Sequence, residues 1–190
     1  NFGLAWLGAY LLSGALGDRV RTGDLASAPQ VANSAVASAS TPAGTTGSGS
    51  YTLEVLSLAA SQTLASPAKA SANATVGSGT LTFRFGTATG SSITEDTSKS
   101  AVSINVASGA TLADVASAIN AKNAGLNAYV AQTTQGAQLV VKGQDGAQNG
   151  FIIEANENLL NPGLKDLAWN PPLVGSSNRL LAQSADAQFK

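Results

Sequence analysis

Three stretches of the chain alternate apolar and polar side chains with the period of two that a half-buried strand requires. Tyr51, Leu53 and Val55 alternate with Thr52 and Glu54. Leu81, Phe83 and Phe85 share one face of a second stretch, with Thr80, Thr82 and Arg84 on the other. Val102, Ile104 and Val106 mark the third. Between them, residues 56–65 blur into a strand end or a short helical turn, and residues 66–79 form a small-residue connection. Residues 86–100 are polar and read as a hairpin loop.

The period changes at Thr111. Ser108-Gly109-Ala110 is a break, and Thr111 is a good helix N-cap with Asp114 three residues later, close to a capping box. Leu112, Val115, Ala116 and Ile119 then follow helical spacing and make one apolar stripe. Gly125 can supply the left-handed residue that ends the segment, so the pattern predicts a helix over 112–123. Strands follow at 127–132 and 138–142, joined by Thr133-Thr134-Gln135-Gly136 as a hairpin connection. Residues 143–150 make a tight polar loop, and Phe151-Ile152-Ile153-Glu154 closes the unit as a strand. Strands, one helix, then strands give an α+β fold, mainly β, with one helix covering an antiparallel sheet.

The flanks differ in kind. Residues 2–17 carry no charge but contain Gly3, Gly8, Gly14 and Gly17, and the run is shorter than the ~20 apolar residues a membrane helix needs. Arg19 and Arg21 follow the run, where a secretory signal would have basic residues ahead of it. Residues 1–25 therefore read as a helix that packs on other helices or as the helical stub of a longer coiled coil, with a membrane-associated segment as the alternative. Residues 26–50 are rich in Ala, Ser, Thr and Gly and read as a linker or extended segment. Residues 51–158 form the β-rich head, and 159–190 a connection leading to a further β-domain. Because the last residues look like a strand just beginning, the chain is expected to be part of a longer protein.

Composition narrows the chemistry. Hydrophobic residues make up 44%, but much of that is alanine and only 5% is aromatic, so the core is expected to be thin. Charged residues are 11% and the net charge is −1, which gives no electrostatic case for nucleic acid or an anionic membrane. Cysteine and histidine are absent, which removes disulfides, thiol chemistry and the commonest metal ligands and general bases. No cofactor is implied.

The remaining chemical patterns have simpler readings. Ser66-Pro67-Ala68-Lys69 fits S-x-x-K, but the Ser-Asp-Asn and Lys-Thr-Gly partners of that machinery are missing. Glu95-Asp96 and Glu154 with Glu157 are close carboxylates without a calcium-loop pattern, and read as solvated charge. Asp145 reads as a turn cap. Asn73-Ala74-Thr75 fits the short glycosylation pattern. Tyr51, Phe83, Phe85, Tyr129 and Phe151 are expected in the core, and Trp6 and Trp169 at packing or interface positions. No catalytic or metal-binding residues are assigned.

The block 102–154 resembles the flagellin hook IN motif. Thr111-Leu112-Ala113-Asp114-Val115-Ala116-Ser117-Ala118-Ile119-Asn120 stands where that motif has its helix. Gly125-Leu126-Asn127-Ala128-Tyr129-Val130 and Gln138-Leu139-Val140-Val141 follow, then Gly146-Ala147-Gln148-Asn149-Gly150-Phe151. Upstream, residues 49–59 are similar to the entry strand of the flagellar filament-capping family, also called hook-associated protein 2. Ala185-Asp186-Ala187-Gln188-Phe189 is similar to that family's passage into its next domain.

The resemblance marks Thr111, Leu112, Asp114, Val115, Ile119, Asn120, Gly125, Gly146, Asn149 and Gly150 as the structural motif. It implies a non-enzymatic assembly protein outside the cell at the flagellar tip. Such a protein is exported by the flagellar apparatus and forms a ring with copies of itself, usually five. Flagellin and hook-associated proteins are its other partners, and a host surface is a further candidate. The family's coiled-coil leg has no counterpart in residues 1–20, so insertion into the filament end and chaperone binding do not carry over. A flagellin or hook-junction protein with the same motif, or an adhesive surface module, is the alternative.

Overall fold

The computed structural model describes residues 31, 38–40, 50, 52–89, 92–171 and 179–190. The expected helical stub at 1–25, most of the linker, Trp6 and Tyr51 lie outside these residues. The chain divides into two compact units, one of Asn1–Leu56 with Phe189–Lys190 and one of Ser57–Gln188. In the first, Glu54 and Lys190 exchange two backbone hydrogen bonds of 2.9 Å. Around them β1 (Val55–Ser57) pairs with β10 (Gln188–Phe189). Of the alternating residues that are described, Leu53 precedes the short strand β1 and Val55 opens it, exposed.

Among its described residues the second unit holds two sheets and one α-helix. The first sheet has the order β6-β7-β2-β9, from β6 (Asn127–Thr133), β7 (Gly136–Asp145), β2 (Ser61–Ala65) and β9 (Arg179–Ala182). The second is organised around β3 (Gly79–Thr89). One edge of β3 pairs with β8 (Gly150–Glu157) along residues 79–86. Its other edge pairs first with β5 (Val102–Val106) and then with β4 (Ser92–Glu95). Gly86 sits where β4 replaces β5, and a Cβ there would run into the Thr94 carbonyl. Trp169 adds a bridge to the outer side of β8, exchanging two 2.8 Å bonds with Ile153.

Helix α1 (Leu112–Ala121) packs on β6 and β7 and touches β5. Leu112, Val115, Ala116 and Ile119 are buried, as the stripe predicts. They join Leu81, Phe83, Ile104, Leu139, Val141, Phe151 and Ile153 in one contiguous core. The fold is mainly β with one helix, in agreement with the sequence.

Four local expectations differ from the structure. The polar segment after Gly86 is no simple loop: β3 runs on to Thr89 and β4 pairs with it, because backbone pairing does not need apolar side chains. β7 likewise continues through 143–145, held by β2, and the 3₁₀ turn Ala147–Asn149 follows. The blurred stretch 56–65 contains β2, an inner strand with Ser61, Gln62, Leu64 and Ala65 all buried. Finally, α1 ends at Ala121, and the left-handed residue after its Lys122 cap is Asn123 (φ 50) rather than Gly125 (φ 76).

Candidate functional site

The residues expected to form the structural motif tie backbone segments together. At the start of α1 the capping box is complete. The Thr111 hydroxyl accepts from Asp114 N at 3.2 Å, and the Asp114 carboxylate accepts from Thr111 N at 2.9 Å and from its hydroxyl at 2.8 Å. These two donors hold the Asp114 carboxyl below its ordinary value by stabilising the charged form.

At the other end of α1, Asn120 faces β6. Its amide nitrogen donates to the Ala128 carbonyl at 2.7 Å, and its amide oxygen accepts from Ala128 N at 2.7 Å. The side chain thus imitates a neighbouring strand and ties the helix to the sheet. Ile119, the residue before it, is anchored in the core.

Gly146, Asn149 and Gly150 shape the passage from β7 to β8. Gly146 (φ 110) adopts a conformation that an L side chain resists, and its N–H donates to Ala60 O at 3.1 Å. The Asn149 side chain donates to Asp145 O at 2.6 Å and accepts from Lys99 Nζ at 3.0 Å. Gly150 opens β8 opposite Gly86. The turn's carboxylate cap is Asp186, which accepts from Ala147 N at 2.7 Å. Asp145 instead contributes its carbonyl, since its backbone belongs to β7.

The exit of α1 and this passage flank an open cleft of about 240 Å³ lined by Phe85, Val102, Leu126, Lys99, Gln144 and Asn149. Ligand pockets run to roughly 300–1,000 Å³. The Lys99 ammonium is already engaged with Gln148 O and Asn149 Oδ1.

The serine–lysine pattern is not assembled for chemistry. Ser66 is fully buried, its hydroxyl donating to Pro67 O and accepting from Leu139 N at 2.9 Å. Lys69 pairs with Asp166 at 2.6 Å. The close carboxylates are similarly committed. Arg84 bridges Glu154 at 2.9 Å and Glu95 at 3.0 Å, which raises the guanidinium above its usual value. Asp96 accepts from the Ser98 N–H and hydroxyl, which lowers it. Glu157 accepts from Gly163 N and Lys165 N, which lowers it too. Among the described residues no group of three or more acidic side chains is placed to hold a metal ion.

Of the expected core aromatics, Phe83 and Phe151 are buried and Phe85 half-buried. Tyr129 is not core: it is 49% exposed, on the face of β6 opposite Ala128. Its partner across the ladder is the buried Val140. Trp169 is buried against β8. Sequence reasoning missed Gln62, whose fully buried amide bonds both backbone groups of Phe151. It also missed Leu159 and Leu160, which stand 85% and 93% exposed on a turn fixed by Asn158 and Ser78. An apolar pair bounded by asparagines was the only signal.

A family model for the flagellin hook IN motif matches residues 80–145. The chain carries a flagellin hook IN motif. The match opens on β3, ahead of the 102–154 block, and takes in β4, β5, α1, β6 and β7. Solved flagellar cap proteins share the fold. The D1-D2-D3 domains of FliD from Escherichia coli superpose with a TM-score of 0.61 at 18% identity, over 73% of this chain and 39% of that one. FliD (HAP2) from Pseudomonas aeruginosa PAO1 gives 0.54 at 27% identity, over 73% and 61%. The D2-D3 domains of FliD from E. coli give 0.59 at 24% identity, over 79% and 74%. This chain therefore spans less than two-thirds of the first two. No curated protein matches it. No helix among the described residues is long and apolar enough to cross a membrane.

Proposed function

We propose that this chain belongs to a flagellar filament cap and promotes flagellin polymerisation at the growing tip. The observation that carries this reading is the joint occurrence of the hook IN motif and the cap-protein fold in the same chain. The backbone ties described above support it, since they join helix, turn and strands into one surface module. The weak overall charge supports it as well, because surfaces that re-register against a partner then desolvate few ions.

In this reading the protein acts without enzymatic turnover, leaves the cell through the flagellar export route and works outside it. Its partners are further copies in a ring, five in the expected case, together with flagellin and hook-associated proteins. Single contacts are weak and the ring supplies the specificity. The 190-residue chain by itself is expected to sediment as a monomer at micromolar concentration.

Complementation tests the proposal. A flagellated bacterium lacking its cap protein receives the whole natural gene in which this chain is encoded, intact or with the codons for Ser57–Gln188 deleted. The intact gene is expected to restore swimming in soft agar and filaments on the cell. The deletion is expected to leave flagellin as monomers in the medium. Filaments of normal length with the deleted gene would overturn the reading.

A further inference from the structure

We infer that Asn120 is a guard on the β6 sheet edge, occupying the backbone groups that the same edge of a second copy of this chain would otherwise bind. β6 stands first in the order β6-β7-β2-β9, so among the described residues only β7 pairs with it. An uncovered edge is a template for another extended chain. The antiparallel register puts Ala128 opposite Val141. Both backbone groups of Ala128 go to Asn120 at 2.7 Å, so this is a non-hydrogen-bonded pair of the ladder. By alternation, the N–H and C=O of Val130 and Gln132 point to the same outer side as those of Ala128. Among the described residues neither has a backbone partner there.

The sequence of β6 explains why a guard is needed. Asn127-Ala128-Tyr129-Val130-Ala131-Gln132-Thr133 contains no charge and no proline, the usual deterrents to edge pairing. Its outer groups are self-complementary: two copies related by a two-fold axis would pair Ala128, Val130 and Gln132 antiparallel with the same residues. Asn120 can hold its post because it extends from a helix whose Leu112, Val115 and Ile119 are fixed in the core. The inference rests on the sheet edge alone and holds whether or not the chain caps a filament.

Asn120→Ala in the full chain removes the guard. Analytical ultracentrifugation is expected to show dimerisation strengthened at least tenfold over the parent. Amide exchange is expected to show new protection at Val130 and Gln132 in the dimer. Adding Gln132→Pro, which removes one outward donor at an exposed position, is expected to restore the monomer. A folded Asn120→Ala chain that stays monomeric would overturn the inference, as would a dimer that persists with Gln132→Pro. Should Asn120→Ala fail to fold, Asn120→Asp decides. It keeps the acceptor for Ala128 N–H and loses the donor, so a weaker dimer is expected, and a folded monomer would overturn the guard role.

Discussion

Gln62 and Phe151, 89 residues apart, exchange two hydrogen bonds between a side-chain amide and a backbone, at 2.6 and 3.0 Å. The contact joins β2 of one sheet to β8 of the other, and both residues are fully buried. Gln62→Leu leaves an N–H and a C=O of Phe151 unpaired in the core. It is expected to cost about 2–4 kcal/mol in urea unfolding, since each orphaned group costs roughly 1–3 kcal/mol. Gln62→Glu keeps the acceptor and supplies a donor only when protonated. Burial raises its folded value, so its stability should be present in acid and lost as pH rises through that value.

The capping box gives a second measurable quantity. Thr111→Ala removes the N-cap oxygen and is expected to cost about 1 kcal/mol in the same assay. Thr111→Ser keeps the oxygen and should fall within a few tenths of a kcal/mol of the parent.

Acid sensitivity should centre on carboxylates that accept backbone N–H groups. The Glu157 carboxyl is lowered by Gly163 N and Lys165 N. A lowered folded value means stability that is fully present above the unfolded value of about 4.3 and lost as pH falls through the folded one. Glu157→Gln is expected to lower the urea midpoint at pH 7 and to flatten its decline below pH 4.5. An unchanged acid limb would remove Glu157 from the account.

Two glycines should respond in opposite degree. A Cβ on Gly77 would collide with the backbone of Pro162, Gly163 and Leu164, so Gly77→Ala must push that turn off β8 and is expected to cost several kcal/mol. Gly109 (φ 83) faces open space, so Gly109→Ala should cost only the left-handed strain, about 1–2 kcal/mol. Thermal unfolding of the pair separates collision from strain.

Replacing Leu159 and Leu160 with serine should leave stability within about 0.5 kcal/mol, because both side chains are already in water. If the cap reading holds, the same double variant is expected to reduce swimming in soft agar while the protein stays folded by circular dichroism.

What the sequence disclosed depended on how local each cause was. α1 could be read because its cap, its box partner and its stripe lie within ten residues of one another. β2 could not, since Gln62 finds its partners in β8 and no alternation marks a strand buried on both faces. Tyr129 was misassigned for a related reason: period two separates the faces of β6 but does not say which one the helix covers. The cap at Ala147 comes from Asp186, 39 positions on, so no local rule could choose it over Asp145. Asn120 was visible through resemblance alone; its grip on Ala128 is a fact of three dimensions.

β3 pairs on one edge with β4 and β5, which follow it closely, but on the other with the distant β8, which ends only at Glu157. The middle of that sheet therefore cannot close while the chain is still short of Gly150, and until then one side of β3 is bare backbone. Acquisition of the native state should be a single late event, slowed by the large loop it has to shut. Any ribosome stall, protease cut or stop codon before that point would release a sticky fragment rather than a smaller working part.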